Sequence, residues 1–455
     1  MDRETVEPTV EAIPGERAER WAAYHHQFAA PSTYVYEFVW DSQAPAVGPF
    51  CTDVDGNVLM DFTGHVAAAP LGYNNPDLRE KLEAFDLVDP LKIAGQDFYV
   101  SSDFPPEESD LPGPSELMDR LTELTSHYGL DTVFLCNSGG EAVENAIKIC
   151  YANGGHRAIT TEGAFHGRTL GALSLNRSKA VYRRGYPEIP GVVSVPYPST
   201  DEAYERRWLT DGPGGNVLAD KLHPERGVLD PAEVAYCILE PVQGEGGYRP
   251  AHPEFARDLQ ELREQYDLRV VADEIQTGLG RTGKRWGIDH YDLEPDVITC
   301  AKGLRVGATV ASADLFPEQT GRISSTWGAG DLIASLQGAL TIDVIEDQRL
   351  YENARVQGRT LRERIEDADL PGVVDVRGPG LMIGVEFDTK ERREAVVENA
   401  LKRGLLTLGC GHETVRLLPP LDVTDREIEL GAELFCAAVD DVADTQPATA
   451  ADGGR

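Results

Sequence analysis

The 455-residue sequence is short of lysine, of paired cysteines and of long apolar runs, and each shortage excludes something. Its seven cysteines (Cys51, Cys136, Cys150, Cys237, Cys300, Cys410 and Cys436) form no C-x-x-C pair. That argues against a zinc site and a disulfide framework and fits small buried residues. No stretch approaches the roughly 18 consecutive apolar residues of a membrane span. The opening MDRETVEPTVEAIPGERAER is acidic where a signal peptide is basic and then apolar, so the expected location is the cytoplasm, with no membrane partner. Basic residues number 42 against 77 acidic ones, and the net charge of −35 repels phosphate-rich surfaces. Nucleic acid and anionic lipid are therefore excluded as partners. The same charge, with arginine far outnumbering lysine, predicts a halophilic-like acidic surface suited to high salt, where screening removes self-repulsion. The bland alternative is an ordinary acidic cytoplasmic protein.

What is present is globular: 41% hydrophobic residues can bury a sizeable core, and the length suits two or three domains. From about 128 to 330, short apolar runs alternate with amphipathic stretches, the pattern of β-α units. Strands are predicted at TVFLC (132–136), RAITTE (157–162), VVSVPY (192–197), EVAYCILEP (233–241), RVVADE (269–274), DVITCA (296–301) and ATVASA (308–313). A helix is predicted over PEFARDLQELREQYDL from the spacing of Phe255, Leu259, Leu262 and Tyr266. The predicted fold class is α/β: a large domain at 66–330 with a mostly parallel sheet flanked by helices, and a smaller α+β domain at 331–442. An N-terminal segment (1–65) packs with the small domain, and 443–455 reads as a disordered tail. Residues 201–230, rich in Gly, Pro and charge, read as a surface insertion. A helix opens at Thr424-Asp425-Arg426-Glu427, a capping-box pattern.

VVADEIQTGLGRTG (270–283) ends in a match to the G-x-G-x-x-G fingerprint of dinucleotide sites. Such a site needs its first glycine to end the strand and its last to open a helix. Here five residues intervene after the apolar run, and KRWGIDHYDLEPD beyond Gly283 lacks helical periodicity, so the glycines read as a turn and an NAD oxidoreductase is an outside reading. The chemistry shifts to Asp273, at the C-terminal edge of its strand, where open α/β sheets place ligands. The next apolar run, PDVITCAKG, ends the same way with Lys302. Taken singly, a loop Asp is usually a cap and a Lys usually a solvated surface group. Together, a carboxylate and a partly buried amine at neighbouring strand ends are the equipment for pyridoxal 5′-phosphate, Asp on the ring nitrogen and Lys on the aldehyde. CNSGGEAVENAIKI supplies Ser138, Gly139 and Gly140 at a strand-to-helix turn, where backbone N–H groups and the helix dipole hold phosphate.

GAFHGR (163–168), EPVQGEGG (240–247), DEIQTGLGRTG (273–283), the Lys of AKG (301–303), STWG (325–328) and the Arg of TVRLLPP (414–420) resemble class III, fold-type I, pyridoxal-phosphate aminotransferases. The resemblance covers about Tyr34 to Val442. APLGYNNP (69–76), GAFHGRTLG with SKA (178–180), and GLLTLGCGHETVRLLPP (404–420) look closest to 4-aminobutyrate aminotransferases of the animal type and to lysine 6-aminotransferases. The animal enzyme's C-x-x-C iron–sulfur pair is not matched, since Gly139 stands at the second position.

By this resemblance Lys302 is the Schiff-base lysine and proton carrier and Asp273 the partner of the ring nitrogen. Gln276 contacts the ring hydroxyl and Phe165 stacks on the ring. Ser138, Gly139 and Gly140 hold the phosphate, joined by Thr326 of the partner subunit in a homodimer or a higher oligomer. Many relatives carry Ser where Gly140 stands, which removes one contact. Glu240 supports the site from behind. Arg168 grips the distal substrate carboxylate, while Arg416 pairs with Glu245 when an ω-amine is bound and is released for glutamate. Val66, on the GHVAAAP loop, lines the substrate pocket. The implied activity is an ω-amino acid:2-oxoglutarate aminotransferase working by ping-pong through the pyridoxamine form, with 4-aminobutyrate first among donors. L-lysine, (acetyl)ornithine and diaminobutyrate are alternatives, and a mutase or racemase on the same scaffold is a mechanistic rival.

Overall fold

The computed structural model describes residues 1–33, 38–85, 105, 113–325 and 331–445. The chain divides into two compact units: Met1–Pro76 with the chain from Asn353 onward, and Asp77–Glu352.

The second unit is built on seven strands: β1 (Thr132–Cys136), β2 (Arg157–Thr161), β3 (Val192–Val195), β4 (Val234–Leu239), β5 (Val270–Asp273), β6 (Val297–Cys300) and β7 (Gly307–Ala311). These are the seven apolar runs predicted as strands. They form one sheet in the order β1-β7-β6-β5-β4-β2-β3. Neighbours from β6 through β3 pair in parallel, whereas β7 runs antiparallel to both β6 and β1. The central strands β4 to β7 are buried along their whole length, which is why they read as continuous apolar runs without alternation. Helix α1 (Gly139–Ala152) buries Val143, Ala146, Ile147 and Cys150 against Ala158, Ile238, Val271 and Ala311 of the sheet. Helix α2 (Pro253–Tyr266) buries Phe255, Leu259 and Leu262 at the predicted spacing. All parallel strands present their C-terminal ends on the same edge, the edge where open sheets of this kind take ligands.

The 201–230 stretch is more than a surface insertion. It holds short helical turns at Tyr204–Trp208 and Val217–Leu222, and it buries Trp208, Leu218 and Leu222 completely. The indole of Trp208 donates to Asp258 (2.6 Å) and packs edge-on against Phe255. One large aromatic anchors a segment whose composition otherwise reads as loop.

In the first unit, Val373–Arg377, Ile383–Phe387, Thr414–Leu417 and Leu408–Cys410 form a four-stranded antiparallel sheet in that order. Phe50–Thr52 and Val58–Asp61 pair antiparallel, and Leu405–Leu406 adds in parallel. The capping box at Thr424 is formed: its N–H donates to Glu427 (2.8 Å) and its hydroxyl accepts from the Glu427 N–H (3.4 Å). Glu427 also accepts from Arg3 (2.7 Å), which ties the chain start to the last helix. That helix runs to Thr445, and the remainder of the predicted tail lies outside the described residues. Among the described residues no helix is long and apolar enough to cross a membrane.

Candidate active site

The floor of the site is made by two adjacent strand ends. In the parallel pairing of β5 and β6, Thr299 sits opposite Asp273, so the residues that follow, Glu274 on one strand and the Ala301-Lys302 pair on the other, leave the sheet side by side. Asp273 is 4% exposed. One of its oxygens accepts from the Ile275 N–H (3.1 Å), and the other lies 2.7 Å from His166 Nδ1. A carboxylate only accepts, so the imidazole carries its proton on Nδ1. His166 is itself buried, and Asn176 brackets it by accepting from the His166 N–H (2.7 Å) and donating to the Gly167 carbonyl (2.8 Å). Lys302 is half-buried and opens a 3₁₀ turn, with its own backbone in the left-handed region at φ +42°. A non-glycine residue held there costs about 1–3 kcal/mol and persists only where its surroundings dictate it.

Glu240, just past the end of β4, accepts from the Phe165 N–H with one oxygen and from the Gly244 N–H with the other, both at 2.9 Å. It therefore pins the GAFHGR and EPVQGEGG loops together. Burial pushes its carboxyl up to about 7, with the His166 ring opposing that shift and Asp273 adding to it. Phe165 is half-buried; the Tyr182 ring lies edge-on at 5.3 Å, and the Arg168 guanidinium sits 5.9 Å above the Phe165 face. Arg168 itself is exposed. Glu245 accepts from the Tyr182 hydroxyl (3.2 Å) and lies 3.7 Å from Lys179. Gln276 packs against Gly244, where a Cβ would come within 2.7 Å of its amide nitrogen, and its side-chain oxygen is buried without a hydrogen-bond partner among the described residues.

The third component is the N-terminus of α1. Ser138 caps it, its hydroxyl accepting from the Glu141 N–H (3.2 Å). Gly139 and Gly140 form the first turn; a Cβ on Gly139 would come within 2.8 Å of Ile275, so glycine is what lets the helix start beside the Asp273 loop. The Cys136 thiol beneath is buried, pushed up to about 12 by that burial, and donates to the Ser138 carbonyl (3.5 Å).

These residues fit pyridoxal 5′-phosphate. A buried carboxylate, an amine one strand over, an amide oxygen buried with no hydrogen-bond partner among the described residues, and a glycine-lined N-terminus on a 14-residue helix are groups suited to a ring nitrogen, an aldehyde, a ring hydroxyl and a phosphate in turn.

The GLGRTG tail folds into a turn. Gly280 and Gly283 have φ of +88° and +86°, and Gly283 N–H bonds back to the Gly280 carbonyl (3.0 Å) in a turn. Glu274, fully buried, accepts from the Gly287 N–H (2.8 Å), the Ile288 N–H (2.7 Å) and the Thr277 hydroxyl, closing that turn into a knot over Trp286. Burial pushes its carboxyl up to about 7.

Asp273, Gln276, Glu240, Glu245, Phe165, Arg168, Ser138, Gly139, Gly140 and Lys302 thus belong to the second unit. Arg416 and Val66 belong to the first. Arg416 is buried on the strand Thr414–Leu417, opposite Gly384. Val66 lies in a run of four left-handed residues, Gly64 to Ala67, with φ between +49° and +68°. Thr326 lies outside the described residues. Two residues escaped the reading of the sequence. His166 stands inside GAFHGR, and Asn176 lies ten positions beyond it; nothing in spacing marks either as the holder of Asp273.

A mostly parallel sheet with a lysine, a carboxylate and a glycine cradle along one edge defines a fold-type I pyridoxal-phosphate enzyme. The family model described as Aminotransferase class-III matches residues 42–439, and the chain belongs to that family. It is 33% identical to an acetylornithine aminotransferase of Archaeoglobus fulgidus over 85% of this chain and 92% of that one. An L-lysine-epsilon aminotransferase of Mycobacterium tuberculosis is 30% identical, with 84% and 87% covered. Among solved structures, the lysine aminotransferase of M. tuberculosis superposes with a TM-score of 0.76 at 26% identity, covering 93% of this chain and 99% of that one. The protein is a transaminase whose cofactor is pyridoxal 5′-phosphate.

Proposed function

We propose that the protein moves the distal amine of an α-amino acid, lysine or (acetyl)ornithine, to 2-oxoglutarate, as a cytoplasmic homodimer. The donor class rests on the names of the relatives, and it moves 4-aminobutyrate, first among donors by the resemblance of its motifs, behind the two alternatives. The observation that carries the chemistry is the buried Asp273–His166 pair beside the strand that leads to Lys302.

The bound cofactor supplies an electron sink for the carbon that carries the amine. Asp273 keeps a proton on the ring nitrogen, and His166 fixes the carboxylate that does so. The Lys302 amine takes a proton from the substrate carbon and returns one. Phe165 fixes the plane of the ring from one face, and Gln276 Oε1 accepts from the ring hydroxyl. Arg168 takes the distal carboxylate in both half-reactions, its planar guanidinium suiting a bidentate pairing. Glu240, with two backbone donors to satisfy, keeps the Phe165 loop in register with the Gly244 turn.

A panel of amine donors with 2-oxoglutarate, read as glutamate formed, tests the donor. Lysine, ornithine and N-acetylornithine are expected to exceed 4-aminobutyrate in kcat/KM; the reverse order would restore 4-aminobutyrate to first place.

A further inference from the structure

The first turn of α1 offers backbone N–H groups but few side-chain donors. Gly139 and Gly140 have none, and the Ser138 hydroxyl is already engaged as the helix cap. The Glu141 carboxylate is engaged by Asn137 and Ser325. Above Gly140 the space is open: a Cβ placed there would meet nothing nearer than 3.5 Å. Its nearest neighbours are the Thr169 methyl at 3.5 Å, then the Ser138 and Thr169 hydroxyls, both at 3.8 Å. Gly167 brings this loop down onto the helix, since a Cβ there would lie 3.2 Å from the Gly140 Cα. Thr169 is exposed, and its side chain does not cap the short helix that follows it. A hydroxyl is thus delivered, from a separate loop, to the Gly140 face of the helix start, which carries no side chain of its own.

We propose that Thr169 binds the cofactor phosphate, donating the hydroxyl that Gly140 does not carry. This rests on the reading of the α1 N-terminus as the phosphate cradle. The ligand class is a phosphomonoester, and Thr169 adds to the backbone N–H groups rather than replacing them. The loop that carries Phe165 and Arg168 then contacts the cofactor at its phosphate as well as at its ring.

The test is cofactor affinity of the apoprotein, measured by quenching of intrinsic fluorescence with pyridoxal phosphate and, separately, with pyridoxal, which has no phosphate. Thr169→Val keeps the shape and removes the hydroxyl. It is expected to weaken pyridoxal phosphate binding about tenfold or more, the loss of one hydrogen bond to a charged group, with pyridoxal unchanged. Thr169→Ser is expected to bind as the wild type, and Gly140→Ser in the Thr169→Val background to recover most of the loss. Wild-type affinity in Thr169→Val, or an equal loss for pyridoxal and its phosphate, would overturn the role. If the wild type itself binds pyridoxal as tightly as its phosphate, the cradle reading falls and takes this proposal with it.

Discussion

Two glycine-bearing stretches follow strands in this chain and meet opposite fates. GLGRTG matches a known fingerprint and ends in a closed turn over Trp286; NSGGE matches nothing so explicit and opens a 14-residue helix at the edge where the strands end. The difference lies in what the glycines face. Gly140 faces open space, where an added Cβ would meet nothing nearer than 3.5 Å, whereas Gly278 makes room for the Trp286 ring and the Glu274 carbonyl. A glycine pattern reports that backbone comes close to something; only the partner decides whether that something is ligand or core.

The sharpest way to test the contrast is to remove the group at the active edge. Lys302→Ala is expected to lower turnover on the order of 10⁴-fold or more, because both the covalent anchor and the proton carrier go, while circular dichroism and Tm stay near the wild type. Retained turnover would refute its role. Next come the glycines themselves. Gly139→Ala is expected to weaken cofactor binding about tenfold and to carry an overpacking cost of about 1–3 kcal/mol, because the added Cβ meets Ile275 at 2.8 Å. Gly278→Ala should leave cofactor affinity alone and cost about 1–3 kcal/mol in denaturant unfolding, the penalty of overpacking against an indole. If the two substitutions exchanged phenotypes, the assignment of the two stretches would be reversed.

The smallest effect is in pH. Glu240 and Glu274 have carboxyls raised to about 7 in the fold, from an ordinary value of 4.5. Between those values the folded chain holds more protons than the unfolded one, so stability falls as pH rises from about 5 to 7 and levels off above. With salt held high to remove the effect of net charge, Tm is expected to drop by a few degrees over that range. Glu274→Gln, neutral throughout, should flatten the slope; an unchanged slope would mean that Glu274 stays ionised in the fold.

Much of the fold was legible because apolar runs bounded by turn residues mark buried strands, and all seven occur in one sheet. Asp273 and Lys302 were legible as candidates because each ends such a run. His166 was not: its contact with Asp273 spans 107 positions and depends on how the loop after β2 crosses the sheet, which no local pattern encodes. The left-handed run from Gly64 to Ala67 was equally hidden, since three of its four residues have no intrinsic preference for that backbone. Trp208 was misjudged with its surroundings, because one fully buried indole outweighs the polar composition around it.

The reversed strand β7 sets a limit on how this enzyme can change. Because β7 returns directly alongside β6, the segment between Cys300 and Gly307 is a short leash, and a Cβ on Gly307 would already lie 2.3 Å from the Ser138 carbonyl. Insertions cannot be absorbed there without moving the lysine. The stretch from 201 to 230, which hangs on Trp208, has no such tether to the chemistry. Length variation, and with it any new surface role, has room to accumulate on that side while the leash keeps its length.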